Sequence, residues 1–148
     1  GSGDSHDGHP GLAHLSNDGG SGLAALYTED VTREGVLKAL RDRRTYATNG
    51  ARIYLEVSVD GKPMGTILEP ADAAAPSTYP LFVRVVGEGP LSHVDIIRSG
   101  RHSRVELEGE LEWALCREMP RLARGEYHYI RVVERSGAVA WASPIFAN

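Results

Sequence analysis

The residues best suited to chemistry in this chain lie close to its start. Asp4, His6, Asp7 and His9 place two carboxylates and two imidazoles within six residues. No apolar residue lies among them, so burial in a core does not explain their density. Oxygen and nitrogen ligands on an irregular loop suit a divalent cation such as zinc, manganese or iron. In an extended segment, residues two apart leave the same face, so Asp4 and His6 can bind one metal ion.

The opening segment also has a simpler interpretation. The chain begins Gly-Ser-Gly, and short polar leaders that carry histidine are typical of cloning remnants. A metal centre generally needs three or more protein ligands. If Asp4 and His6 bind a metal, the other ligands come from elsewhere in the chain or from a chain outside this sequence. His9 is a further candidate ligand, and a solvated loop histidine is its alternative.

Composition limits the classes of protein to consider. The chain has 148 residues, 41% of them hydrophobic and 24% charged, which is typical of a globular domain. A formal charge of −4 argues against nucleic acid as the main partner. No run approaches the ~20 apolar residues that span a bilayer, so no membrane association is expected. No secretory signal is visible, but one could lie upstream of this sequence, so localisation stays open.

Two elements are predicted before residue 50. Residues 22–27 form a short apolar run that indicates a buried strand. Thr32 is a candidate N-cap for a helix over residues 33–43, whose apolar face carries Val36, Leu37 and Leu40. Gly35 weakens this helix by up to ~1 kcal/mol relative to alanine. Residues 43–50 are predicted to be a polar loop.

The remaining chain has the pattern of short β-strands. Apolar and polar residues alternate over 53–59, Asp60-Gly61 is a hairpin turn signal, and residues 64–68 suit a return strand. After a loop over 70–80, further strands are predicted at 81–86, 93–98, 104–107, 111–117, 127–133, 138–141 and 145–146. This pattern predicts a mainly β fold, an antiparallel immunoglobulin-like β-sandwich. We therefore expect two units, 1–50 and 51–148, the first too small to hold a core of its own.

Several of these residues resemble a known family. The segments are Gly-Asp-Ser-His at 3–6, Arg-Arg-Thr-Tyr-Ala-Thr-Asn-Gly at 43–50, and the closing stretches 127–132 and 140–145. In order and spacing they resemble the C-terminal region of the PHP-like metallohydrolases, relatives of the polymerase and histidinol phosphatase superfamily. Gly3 replaces the serine that usually precedes the aspartate in that family's last metal-binding motif.

The resemblance implies a fold and an activity for a longer protein. Residues 1–50 would be the remnant of a distorted (β/α) barrel, and Asp4 and His6 would be the last ligands of a centre holding zinc, manganese or iron. The function implied is metal-dependent hydrolysis of the phosphoesterase kind, acting on a small molecule, with a phosphorylated substrate as one alternative. The partner implied is the missing N-terminal barrel portion. Alone, the chain is expected to be inactive.

Three residues near the end of the first unit are candidate substrate ligands. They are Arg44, Tyr46 and Thr48, since an arginine beside hydroxyl groups suits a phosphate. The alternative is structural: Tyr46 packs at the junction of the two units and Arg44 serves the helix end.

Other polar and aromatic residues have ordinary interpretations. His93, His102 and His128 are expected at the surface or at strand edges, and Trp113, Trp141 and Tyr129 in the core or an interface. Cys116, the single cysteine, is expected to be a small buried hydrophobe.

Two functions from different classes remain open. The chain is either the end of a metallohydrolase or a stand-alone β-sandwich that binds carbohydrate or protein. Exposed aromatic residues on one sheet face would favour the binding module, whereas an opening loop docked beside Tyr46 would favour the hydrolase. A homodimer is a further expectation, because a barrel remnant would leave apolar surface for a second copy to cover.

Overall fold

The computed structural model describes residues 1–3, 21–69 and 76–148. In these ranges the chain forms one α-helix and twelve strands. The helix is α1 Arg33–Arg41. The strands are β1 Leu23–Leu26, β2 Thr45–Thr48, β3 Tyr54–Val59, β4 Lys62–Pro63, β5 Ile67–Leu68, β6 Thr78–Val86, β7 Leu91–Arg98, β8 Arg101–Glu106, β9 Glu112–Pro120, β10 Tyr127–Glu134, β11 Val139–Ala142 and β12 Ile145–Ala147. None of the helical residues in these ranges forms a segment that could cross a membrane.

The strands of the described residues form two sheets. The larger sheet has eight strands, with β10 hydrogen-bonded to β7, β11 and β12. Its order runs from β1 through β2 and β11 to β10, then through β7 to the edge strand β8. The smaller sheet has the order β4-β3-β6-β9. All pairs are antiparallel except β12 with β5, so the predicted mainly β, antiparallel fold is confirmed.

One core lies between the inner faces of the two sheets. Leu55, Val57 and Val59 of β3 are buried at alternate positions, as the period of two in the sequence predicted. They belong to the same apolar cluster as Ile130 and Val132 of β10 in the larger sheet. Full burial of each such side chain contributes about 1.5–3 kcal/mol, so this cluster is the main source of stability.

Strand β2 corrects the predicted loop over 43–50. Its residues Thr45–Thr48 pair with β1 on one side and with β11 on the other. Polar residues occupy this strand because its stability comes from two neighbouring strands, one of them far away in sequence. The described residues before 50 therefore extend the larger sheet. The division into units 1–50 and 51–148, the barrel remnant and the immunoglobulin-like topology stay predictions.

Helix α1 begins as predicted but buries a different face. Thr32 is the N-cap, and its Oγ1 accepts a hydrogen bond from the Gly35 amide at 3.1 Å. The helix ends at Arg41, two residues before the predicted end. Ala39 is buried and Val36 is partly buried, whereas Leu37 and Leu40 are 38% and 49% exposed, so the predicted apolar face was wrong for the two leucines.

A close approach explains why the small residues of α1 face inward. Gly35 and Ala39 are four apart and share one face of the helix. A Cβ at Gly35 would lie 2.2 Å from the backbone oxygen of Asp30, a distance that no real side chain tolerates. Glycine at this position therefore lets the helix pack against the segment that connects it to β1.

The turn after β3 is confirmed, and the predicted return strand over 64–68 was wrong in part. Asp60 and Gly61 have φ values of +53° and +70°, as a two-residue hairpin turn requires. The chain returns along β3 only as β4, and β5 leaves to pair with β12 in the larger sheet. Gly65 separates them with φ +86°, and a Cβ there would lie 2.2 Å from the Arg43 oxygen.

Candidate functional site

The predicted metal ligands Asp4, His6 and His9 lie outside the described residues. The structure does describe the residues on either side of this segment, and two of them, Gly3 and Ser21, lie next to each other. A Cβ on Gly3 would come within 2.2 Å of Ser21 Oγ, so the chain just before Asp4 passes directly against the chain just before β1. Gly22 lies near the end of β2, because a Cβ added to it would be 3.3 Å from the Thr48 oxygen. The segment therefore leaves and rejoins the fold at the end of β2 that carries Thr48.

Arg44 lines a cleft at the opposite end of β2. The cleft has a volume of about 360 Å³ and lies between α1 and the segment that follows β1. The backbone of Arg44 is fixed on both sides, because its amide donates to the Ala39 oxygen at 2.9 Å and its oxygen accepts from the Tyr27 amide at 2.8 Å. The Arg44 Nε is buried and makes no hydrogen bond to the described residues. Arg44 therefore contributes a positive charge to the wall of the cleft.

The lining of the cleft carries charges of both signs. Besides Arg44, its charged members are Glu29, Asp30, Lys38 and Asp42. Lys38 and Asp42 form an ion pair one turn apart on the helix. The hydrogen bond from Lys38 lowers the pKa of the Asp42 carboxyl. Three carboxylates beside two cations suit a ligand that itself has a positive and a negative group better than a bare phosphate.

Tyr46 and Thr48 face the interior and use their hydroxyls there. Tyr46 Oη donates to the Ile53 oxygen at 2.9 Å, and its ring lies 6.0 Å from the ring of Tyr27. Burial raises the pKa of the Tyr46 phenol. Thr48 is buried, and its Oγ1 accepts from the Gly50 amide at 3.2 Å. Neither residue lines the cleft, so the structure does not bring Arg44, Tyr46 and Thr48 together at one surface.

Sequence reasoning missed a charged cluster centred on Asp95. This carboxylate is fully buried, and it accepts from Arg104 Nε at 2.8 Å and from Arg131 Nη2 at 2.5 Å. The register places Asp95 directly opposite both arginines on the neighbouring strands. Burial alone would raise the pKa of Asp95, but the hydrogen bonds from Arg104 and Arg131 outweigh it and hold that pKa below its usual value. The signal available in the sequence was a lone aspartate within the apolar run of β7.

His128 was expected at the surface, and that prediction was wrong. Its side chain is only 1% exposed, and neither ring nitrogen makes a hydrogen bond within the described part of the chain. Its neighbour is the buried Tyr79, with ring centroids 6.2 Å apart. Burial lowers the pKa of His128 and raises the pKa of Tyr79 to about 12. Both groups are therefore neutral near pH 7.

Cys116 also differs from its prediction, because it is exposed on β9 instead of buried. The alternation of β9 explains this: Leu115 packs against the core, so its neighbour Cys116 must point to the opposite side of the sheet. Among the described residues, no group of three or more histidine, cysteine, aspartate or glutamate side chains is placed to hold a metal ion.

Comparisons with known proteins give one family and three relatives. Residues 4–62 match a family described as "Protein of unknown function (DUF3604)". The chain is 29% identical over 140 residues to an uncharacterized protein of Chlamydia muridarum. The matched region covers 86% of this chain and 22% of that protein. Uncharacterized proteins of Chlamydia pneumoniae and Chlamydia trachomatis serovar D are 29% and 28% identical over the same length. The chain spans less than a quarter of these curated relatives. No solved structure matches it significantly.

Proposed function

We propose that this chain is the C-terminal part of a longer metal-dependent hydrolase of the phosphoesterase kind, with Asp4 and His6 among its metal ligands. The observation that carries this proposal is the Asp-x-His pattern, in a polar segment whose flanking residues Gly3 and Ser21 are in contact. Anchored ends restrict where the ligands can lie. The chain covers 22% of its Chlamydia muridarum relative, which supports only the part of the proposal that places it in a longer protein.

The donor set of the opening segment fits a borderline divalent cation. One carboxylate and one imidazole two residues apart are ligands that zinc, manganese and iron share. Such an ion would supply a hydroxide nucleophile near neutral pH and neutralise charge on the attacked group. Because two protein ligands are fewer than a metal centre needs, His9 or residues of the missing barrel portion complete the set, and the 148 residues alone are inactive.

Arg44 is proposed to bind the substrate away from the metal. Arg44 lines a cleft whose other cation, Lys38, is paired with Asp42. A guanidinium donates well to phosphate or carboxylate oxygens. Tyr46 and Thr48 then support the strand that positions Arg44, since their hydroxyls bind backbone groups. In this arrangement the sandwich, proposed to be immunoglobulin-like, packs beside the barrel and shapes its substrate pocket.

A stand-alone binding module is the second candidate function. Trp141 is 37% exposed on the outer face of the larger sheet, and the half-buried Tyr129 lies on the same face. Aromatic rings on an exposed face suit contact with a sugar or a protein. The two functions differ in one property, because a binding module has no need of Asp4 or His6.

Calorimetric titration of the chain with zinc or manganese separates these functions. We expect weak binding that is lost in Asp4→Asn and in His6→Ala. The matched control is His102→Ala, which removes an exposed histidine from β8 and should leave binding unchanged. Equal binding by the original chain and by His6→Ala would contradict the assignment of the ligands and leave the binding module as the better candidate.

A further inference from the structure

The outer face of the larger sheet is unusually aromatic for a surface exposed to water. In an antiparallel sheet with one solvated face, residues on that face are ordinarily polar. Here the register places five large apolar side chains there on β5, β10, β11 and β12. We name them the aromatic face: Ile67, Tyr127, Tyr129, Trp141 and Phe146.

Contacts join four of the five members of the aromatic face. The ring of Tyr127 stacks on Tyr129 at 6.3 Å and lies 6.1 Å from Phe146. Phe146 pairs with Ile67, which is 39% exposed. Contiguous exposed apolar surface of this kind marks interaction sites in soluble proteins.

The opposite surface of the molecule provides a comparison. The outer side of the smaller sheet carries charges such as Glu56, Arg84 and Glu112, with Arg84 and Glu112 paired at 2.8 Å. This is the ordinary composition of a solvated sheet face. That side also carries Tyr54 and Phe82, so the two outer faces differ in the number of their aromatic residues and in the ring contacts of Tyr127 with Tyr129 and Phe146.

A charged rim borders the aromatic face. Asp95 lies on the same side of the sheet as Trp141, since Arg131 pairs with both. Asp95 is buried beneath Arg104 and Arg131, whose side chains are 39% and 40% exposed. An apolar centre with arginines at its edge is the usual anatomy of a protein interface.

The start of the described chain indicates what covers this face. A Cβ on Gly1 would lie 2.7 Å from the Cβ of Ala47, so Gly1 rests on the outer side of the sheet. Ala47 pairs directly with Trp141 on that side. Any residues that precede Gly1 in a longer protein would thus start beside the aromatic face. In the Chlamydia muridarum relative, the matched stretch is only 22% of the protein.

We propose that the aromatic face is the interface that the preceding part of the longer protein covers. The inference rests on the proposed function in one respect, because that part is taken to be the catalytic barrel. It adds the position of the contact: the barrel packs on the side of the sandwich formed by β10, β11 and β12, with Arg104 and Arg131 at the rim. The smaller sheet faces solvent.

Hydroxyl-radical footprinting read by mass spectrometry tests the interface. Modification rates are measured for the 148-residue chain and for a longer protein that contains it. Because a covered interface excludes solvent, we expect the rates at Tyr129 and Trp141 to fall at least about fivefold in the longer protein. The matched controls are Tyr54 and Phe82 on the smaller sheet, whose rates should change less than about twofold because that sheet stays solvated.

Two outcomes overturn the inference. Equal rates at Tyr129 and Trp141 in the two proteins would show that the preceding part does not cover the face. Protection in the short chain that rises with concentration, together with a dimer by light scattering, would assign the face to a second copy.

Metal analysis of the same longer protein separates this inference from the proposed function. Bound metal without protection of Tyr129 and Trp141 would leave the hydrolase standing and reject the interface. Protection without bound metal would leave the interface standing and reject the hydrolase.

Discussion

Arg44 and Thr48 lie at opposite ends of the strand β2, with Arg44 beside Tyr27 and Thr48 beside Gly22. At the ordinary rise of a strand, their backbones are about 13 Å apart. The segment that carries Asp4 and His6 is anchored at the Thr48 end. In the proposed hydrolase, a substrate bound at Asp4 and His6 that also contacts Arg44 must therefore span this distance, or Arg44 binds a part of it remote from the reaction.

Replacing Tyr46 with phenylalanine distinguishes a structural residue from a substrate ligand. Since Tyr46 Oη donates to the Ile53 oxygen, we expect the free energy of unfolding to fall by about 1 kcal/mol. Urea denaturation measures this. The control is Tyr54→Phe, because Tyr54 Oη bonds to the exposed Glu56 carboxylate and should contribute little. Unchanged stability in Tyr46→Phe would contradict the structural role.

Gly35→Ala gives opposite expectations from sequence and structure. Helix propensity alone predicts that alanine stabilises α1 by up to about 1 kcal/mol. The 2.2 Å approach of a Cβ to the Asp30 oxygen predicts destabilisation of about 1–3 kcal/mol instead. Thermal unfolding decides between them, with the exposed Glu34→Ala as a control on the same helix. A higher melting temperature for Gly35→Ala would show that the packing of α1 is looser than described.

The buried carboxylate of Asp95 should make stability sensitive to strong acid. Its pKa is lowered in the folded state, so its contribution is complete above the unfolded pKa of about 3.9 and is lost as the pH falls through the lower folded value. At pH 7, Asp95→Asn should cost about 1–3 kcal/mol, because the bonds to two arginines weaken. Asp60→Asn, in an exposed turn, is the matched control. Unchanged stability in Asp95→Asn would mean that the ion pairs of Asp95 with the two arginines give no net stability.

His128 should add a second pH dependence at a higher range. Burial lowers its pKa, so below about pH 6.5 the unfolded chain takes up a proton that the folded chain excludes. We expect the unfolding free energy to fall as the pH drops below about 6.5 towards the lower folded pKa, with a slope of up to about 1.4 kcal/mol per pH unit. His128→Leu should flatten this range, whereas His102→Leu should not. A profile unchanged by His128→Leu would contradict the assignment to this residue.

The sequence predicted most of what depends on neighbouring residues. Alternation revealed β3, β6 and β10, the Asp60-Gly61 signal gave the turn, and Thr32 gave the start of α1. Strand β2 was missed because Thr45–Thr48 is stabilised by pairing with β11, which lies far along the chain. No local pattern contains that information. The buried face of α1 was wrong for a similar reason, since contact with the segment around Asp30 selects Gly35 and Ala39 over the larger leucines.

The candidate site was only partly accessible to sequence reasoning. Residue types and spacing predicted Asp4 and His6 as metal ligands and Arg44 as a cation for substrate, and these assignments stay predictions; the structure adds the cleft beside Arg44. Spacing could not indicate that Tyr46 and Thr48 point inward, because which face of a strand is buried depends on the sheet it joins. The meeting of Asp95, Arg104 and Arg131 depends on the registers of three strands, and sequence separation conceals it.

The metal content of a longer protein that contains this chain tests the central claim most directly. Elemental analysis by mass spectrometry would be applied to that protein, to its variant with Asp4→Asn and His6→Ala together, and to the His102→Ala control. We expect stoichiometric zinc, manganese or iron in the unmodified longer protein and in the His102→Ala control, and loss of this metal in the double variant. An unmodified protein without divalent metal, or a double variant that keeps its metal, would contradict the proposed metal site at Asp4 and His6.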